Sequence, residues 1–207
     1  MEIKAPIFEN LNIKKGDKVL ITGTIYTARD AAHKRLFEEI KKQGKSFFET
    51  FPEDPIDAYN FLKKVRENDI SSFESFVKDL KLPINLKGAV IFYAGPADTP
   101  PGRPIGAIGP TTSYRMDPFA PLFYLLGVKA TIGKGKRSEL VKEAIKITKS
   151  AYFGAIGGVA AYLCSCVKEA KIIAYKDLGP EAIRELKVEK FPTFVACDPN
   201  GNYLNYW

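Results

Sequence analysis

Short apolar runs that alternate with helix-like segments constrain this chain more than any other feature. Residues 18–26 (Lys-Val-Leu-Ile-Thr-Gly-Thr-Ile-Tyr), 88–94, 130–133 and 151–156 are strand-length runs rich in β-branched and apolar residues. Between them, apolar residues recur at helical spacing, as Ala32, Leu36, Phe37 and Ile40 do within a helix expected over 28–42. Such alternation predicts an α/β domain. At 207 residues a single domain over 1–207 is expected.

Other boundaries follow from local signals. Asp54-Pro55 pairs an N-cap with proline at the first helical position, and Ser71-Ser72-Phe73-Glu74 matches a capping box. Two short helices are therefore expected over 54–80. A helix is predicted from Thr112 to Leu126 and another from its Ser138 cap to Lys149. Gly157-Gly158 opens an apolar helix that ends at Val167. Strands at 171–175 and 191–196 flank a helical turn at Gly179-Pro180, and the Asp198–Gly201 turn precedes a last short strand. Residues 95–110 hold five prolines and cannot be regular; long ordered loops of this kind tend to carry function.

Several classes fall away. No run reaches the roughly 18 apolar residues of a membrane span, and Met1-Glu2-Ile3-Lys4 does not begin a secretory signal. Three cysteines fit free thiols in a cytoplasmic protein. The net charge is +7, but only seven of the 31 cations are arginines, and many lysines have acidic neighbours, as in Lys142-Glu143 and Lys187-Val188-Glu189. That pattern argues against nucleic acid, which favours clustered arginine. It is compatible with attracting a small anion.

Four segments bear on chemistry. In Thr27-Ala28-Arg29-Asp30-Ala31-Ala32-His33, Arg29 stands at a helix start, where the dipole disfavours a cation. An anion is one partner that would explain it; an ordinary exposed arginine is the equal alternative. His33, one turn on, reads as a supporting residue. In Gly109-Pro110-Thr111-Thr112-Ser113-Tyr114-Arg115, hydroxyls fall at a helix start, and Thr111 and Arg115 would face one ligand if the helix includes Thr111. An ordinary threonine cap is the plain reading. Ile132-Gly133-Lys134-Gly135 fails the spacing of a phosphate loop, though a lysine between glycines at a strand end can reach a ligand. Gly154, Gly157 and Gly158 do not form a dinucleotide fingerprint, and Cys164-Ser165-Cys166 on a helix would point its thiols about 200° apart. No metal set is expected in this chain.

Taken in order, TGTIYTARDAAHKR, YAGP, GPTTSYRMD, IGKG, YFGAIGGVAAYL and FPTFVACDPNGNYL resemble the beta subunit, or C-terminal domain, of class I iron–sulfur fumarate hydratase and L-tartrate dehydratase. The resemblance implies a swivelling β/β/α domain. It implies a partner alpha subunit that holds a [4Fe-4S] cluster on three cysteines, with an open iron acting as Lewis acid and a small dicarboxylate substrate between the two chains. Carried over by motif, Thr111 is the base and Lys134 its catalytic companion. Arg29, Arg115 and Thr112 bind substrate, with Asp30, His33, Gly109 and Gly133 behind them. The acid for the leaving hydroxyl would come from the partner. Malate to fumarate is the expected reaction, tartrate dehydration the rival, and a non-catalytic anion-binding or regulatory module the alternative of another class. The chain departs from the family in an added aromatic segment, 43–79, with six of the 14 phenylalanines, expected to be a helical insertion.

Overall fold

The computed structural model describes residues 1–204. Seven strands form one sheet: β1 (Glu2–Ala5), β2 (Lys18–Thr27), β3 (Val90–Phe92), β4 (Ala130–Gly133), β5 (Ala151–Gly154), β6 (Val167–Ala174) and β7 (Ile183–Cys197). β2, β3, β4 and β5 run parallel in that order. β7 pairs antiparallel with both β5 and β2, which closes the five strands into a barrel. β1 adds in parallel beside the first half of β2, and β6 continues from β7 as an antiparallel ribbon. This α/β architecture agrees with the alternation in the sequence.

Strand pleating sends alternate residues to two cores. Inside the barrel, Val19, Ile21, Ile25, Phe92, Ile132, Phe153, Phe191 and Val195 form one apolar cluster. Outside, Ile91, Tyr93 and Tyr152 join a second cluster with the helices. These are α1 (Asp30–Phe47), α2 (Pro55–Asn68), α3 (Ile70–Asp79), α4 (Ala120–Leu125), α5 (Glu139–Thr148) and α6 (Ala160–Ser165). α1 buries Ala32, His33, Leu36, Phe37 and Ile40, the stripe its spacing predicts with His33 added. α2 and α3 pack their inner faces, Leu62 and Phe76 among them, onto the same core. No helix among the described residues is long and apolar enough to cross a membrane.

Several boundaries differ from expectation, each for a local reason. The helix expected over 112–126 is broken: a 3₁₀ turn occupies Ser113–Met116, and α4 starts only at Ala120. Pro118 and Pro121 remove two amide donors and disfavour helix just before them. The cap of α3 is Asp69, which accepts from the Ser72 amide, while Ser71 and Ser72 donate their hydroxyls to Asp69; the expected Ser71 box does not form. The apolar helix expected up to Val167 stops at Ser165, because Val167 already opens β6. β7 runs eight residues longer at its start than the expected 191–196 strand. Lys187 pairs with Glu169 and Lys168 with Glu189 across the β6–β7 ribbon, while Lys41 with Glu38 and Lys142 with Glu139 pair along a helix. The last short strand survives as a single bridge between Cys197 and Tyr203, and residues 205–207 of that segment lie outside the described residues.

Candidate functional site

Parallel strands bring their C-terminal ends to one rim, where α/β proteins gather ligands. β2 delivers Arg29 and Asp30, β3 leads to Tyr93–Gly95, and β4 delivers Gly133, Lys134 and Gly135. The 110–113 segment is threaded onto this rim. Pro110 bridges to Ala94, the Thr111 amide donates to the Tyr93 carbonyl (2.7 Å), the Lys134 amide donates to the Thr111 carbonyl (3.3 Å), and the Ser113 amide donates to the Lys134 carbonyl (2.9 Å). Thr111, Thr112 and Lys134 are thereby held side by side by backbone bonds. The helical turn begins at Ser113, so Thr111 lies outside it and the condition for one-face alignment with Arg115 is not met.

Arg115 nevertheless reaches the same rim by another route: it forms an ion pair with Asp30, its Nε 2.9 Å from Oδ1. Arg29 is the N-cap residue of α1 without a side-chain cap bond. Its Nη2 pairs with Glu181 Oε1 at 3.3 Å, while Glu181 Oε2 accepts from the Ala31 amide at 2.9 Å. The Arg29 Nε and Asp30 Oδ2 are buried atoms that find no partner among the described residues. The cation at the helix start thus has an internal carboxylate as partner, with donor capacity left over. Gly95 makes room for it: a Cβ there would stand 2.7 Å from the Pro180 carbonyl oxygen and 3.3 Å from Arg29 Nη1.

His33 is buried, and its Nδ1 lies 2.8 Å from the Arg29 carbonyl oxygen. A carbonyl only accepts, so Nδ1 carries the proton. Tyr93 and Phe123 meet the ring edge to face. Burial lowers its pKa to about 4 against the raising pull of that bond, so the imidazole is neutral at pH 7. It supports the Arg29 backbone and does not face the open rim. Gly133 has no space for a side chain, since a Cβ would lie 1.9 Å from Ser113 Oγ; Gly109 backs onto Ala160.

Below the rim lies a buried polar network that motif reading passed over. The Arg137 side chain is wholly buried and donates to Asp117 (2.6 Å) and Thr131 (3.2 Å), and it lies over the Tyr93 and Tyr152 rings. Asp117 also accepts from the Ser138 amide. Ser113 Oγ and Tyr152 Oη are 2.9 Å apart, and Tyr152 donates to the Gly135 carbonyl. The network ties the 111–117 segment to the 133–138 loop. Arg137 follows Lys134 by three residues, yet nothing in the sequence separates a buried arginine from a surface one.

The cysteines stand apart from this rim chemistry. All three are buried free thiols, and burial first, then Asp198, pushes Cys197 up to about 12. Among the described residues no group of three His, Cys, Asp or Glu side chains converges as a metal set. An iron–sulfur cluster therefore does not fit on this chain's own residues. Three large apolar side chains in the segments that follow the strand ends are exposed: Tyr114, Ile156 and Tyr162, each about 60%.

Comparison with known proteins follows the same residues. The fumarase C-terminus family matches residues 4–54 and 70–206, passing over 55–69, which is all of α2 and the residue after it. Fumarate hydratase 1, mitochondrial, of Leishmania major is 35% identical over 89% of this chain and 28% of its own length. The anaerobic class I fumarate hydratase of Escherichia coli K12 matches at 35%, again over 89% of this chain and 28% of its own length. A Methanocaldococcus jannaschii protein provisionally named L(+)-tartrate dehydratase subunit beta is 32% identical over 93% of this chain and 83% of its own. The chain therefore spans about 28% of the fumarate hydratases and most of the separate subunit.

Proposed function

Because the chain belongs to the fumarase C-terminus family, we propose that it is the beta subunit of a two-chain hydro-lyase interconverting malate and fumarate. The observation that carries this reading is the meeting of Arg29, Thr111, Arg115 and Lys134 on one rim, through ion pairs and backbone bonds from three separate segments. A dicarboxylate needs several cations in one place. Removing a proton beside a carboxylate adds charge, and cations already fixed there stabilise the transition state more than the ground state. Arg29 contacts one carboxylate through Nη1, and Arg115 contacts the other. Thr111 takes the proton. A threonine hydroxyl is a weak base unless its alkoxide is stabilised, and Lys134, whose backbone is bonded to that of Thr111, supplies the cation in this reading.

The [4Fe-4S] cluster and the acid belong, in this reading, to the partner chain, and the swivelling of this domain would open and close the site between them. The match along most of a separate beta subunit supports a two-chain organisation. The same match supports tartrate as a second substrate, since the two differ by one hydroxyl whose recognition depends on contacts partly outside this chain.

The test is anaerobic reconstitution with the neighbouring iron–sulfur chain, following fumarate, L-malate and tartrate side by side. Fumarate and malate turnover that requires both chains is the expected result. Tartrate turnover alone would keep the chemistry and change the substrate. A formed complex with an intact cluster and no turnover on any of the three would overturn the hydro-lyase reading in favour of a non-catalytic anion-binding module.

A further inference from the structure

Glu181 lies 150 residues beyond Ala31, yet its carboxylate sits at the start of α1 and serves two groups at once. One oxygen accepts from the Ala31 amide, a first-turn donor that the helix itself leaves unpaired. The other faces Arg29 Nη2 at 3.3 Å. Its position is not accidental to one contact. The 3₁₀ segment Lys176–Glu181 and the residue before it run along α1, meeting it at one-turn intervals. Tyr175 donates to Glu39, Arg35 donates to Asp177 at 2.7 Å, and Ala31 donates to Glu181. Residues 31, 35 and 39 are spaced by four, so they form one stripe on the helix.

We propose that Glu181 is a positioning residue for Arg29. It cancels the repulsion between a cation and the positive end of α1, and it fixes the guanidinium through Nη2 so that Nη1 remains free for a substrate carboxylate. Without that carboxylate, the helix terminus pushes Arg29 outward and the clamp loses its aim. Loss of this ion pair at a helix end is expected to weaken substrate binding about tenfold or more. The inference rests on the reading of Arg29 as a contact to substrate carboxylate.

The experiment uses the reconstituted two-chain complex and the variants Glu181→Gln and Glu181→Asp. Glutamine keeps an acceptor for Ala31 and loses the charge; aspartate keeps the charge on a shorter arm. The expected result for Glu181→Gln is a KM for L-malate raised about tenfold or more, with kcat lowered less, and partial recovery in Glu181→Asp. A second readout does not need turnover: the ¹⁵N–¹H signal of the Arg29 Nε, assigned with Arg29→Lys, should be sharp in the unmodified chain and broadened or lost in Glu181→Gln. An unchanged KM together with an unchanged Arg29 signal overturns the proposal. Equal rises in KM and losses of thermal stability in both variants, with an unchanged Arg29 signal, also overturn it, because a merely structural carboxylate would behave that way. If the unmodified complex turns over no substrate, the hydro-lyase reading falls by itself, and the Arg29 signal alone then decides whether Glu181 holds the guanidinium.

Discussion

At the scale of single residues, the rim joins groups with very different settings. Thr111 is held through its backbone, and among the described residues its hydroxyl has no hydrogen bond, which leaves it for chemistry. Thr111→Ala should lower kcat of the reconstituted complex by about 10²–10⁴-fold with little change in KM, the loss expected of a removed base; steady-state kinetics with L-malate checks this. His33 carries a different consequence. Its folded pKa, about 4, lies below the ordinary histidine value, so the unfolded chain binds the extra proton between these values. Stability is fully present above about pH 6.5 and is lost as pH falls towards 4. Between pH 7 and pH 5 the loss should be about 2 kcal/mol, measured by urea unfolding, and His33→Gln should remove that slope. Arg29 was legible as an anomaly, a cation at a helix start. Its partner Glu181 was not, because no local pattern links residues so far apart in the chain.

At the scale of elements, strand-end loops do the positioning. Ser113 Oγ occupies the place where a Gly133 side chain would stand, so the 3₁₀ turn and the end of β4 interlock. Gly133→Ala should cost about 1–3 kcal/mol by overpacking and should displace Ser113 from Tyr152. Adding Ser113→Gly should restore part of that stability, a coupling that thermal unfolding of the single and double variants would expose. Buried strands announced themselves through continuous apolar runs, and 130–133 was readable to the residue. The first half of β7, Ile183–Val188, and the start of β6, Val167–Ala170, were not, although the rest of β6 overlaps the strand expected at 171–175. They pair with each other as a half-exposed ribbon, so Arg184, Glu185, Lys187, Lys168 and Glu169 dilute the apolar signal. The split of the expected 112–126 helix turned on Pro118 and Pro121, a local conflict that periodicity alone conceals.

At the scale of the whole molecule, α/β alternation foretold the layers but not the closure, since closure depends on pairing β7 with a strand some 165 positions earlier. The three thiols are buried and distributed without a metal set among the described residues. Cys164→Ser and Cys166→Ser should therefore leave the iron content of the reconstituted complex unchanged, as a colorimetric iron assay would show; a fall would place part of the cluster on this chain. Closure by the last strand also governs how the polypeptide is made. During synthesis, β2 to β5 emerge first as an open parallel sheet whose inner face, Ile21, Phe92, Ile132 and Phe153, has no cover. β7 is the strand that bridges β5 back to β2, and it follows β5 in the chain. Folding to the closed form is thus postponed until β7 has emerged, with most of the barrel-forming contacts far apart in sequence. Nascent chains stalled before residue 183 would present a sticky, unfinished surface, and it is at that stage that a cell's chaperones would meet this protein.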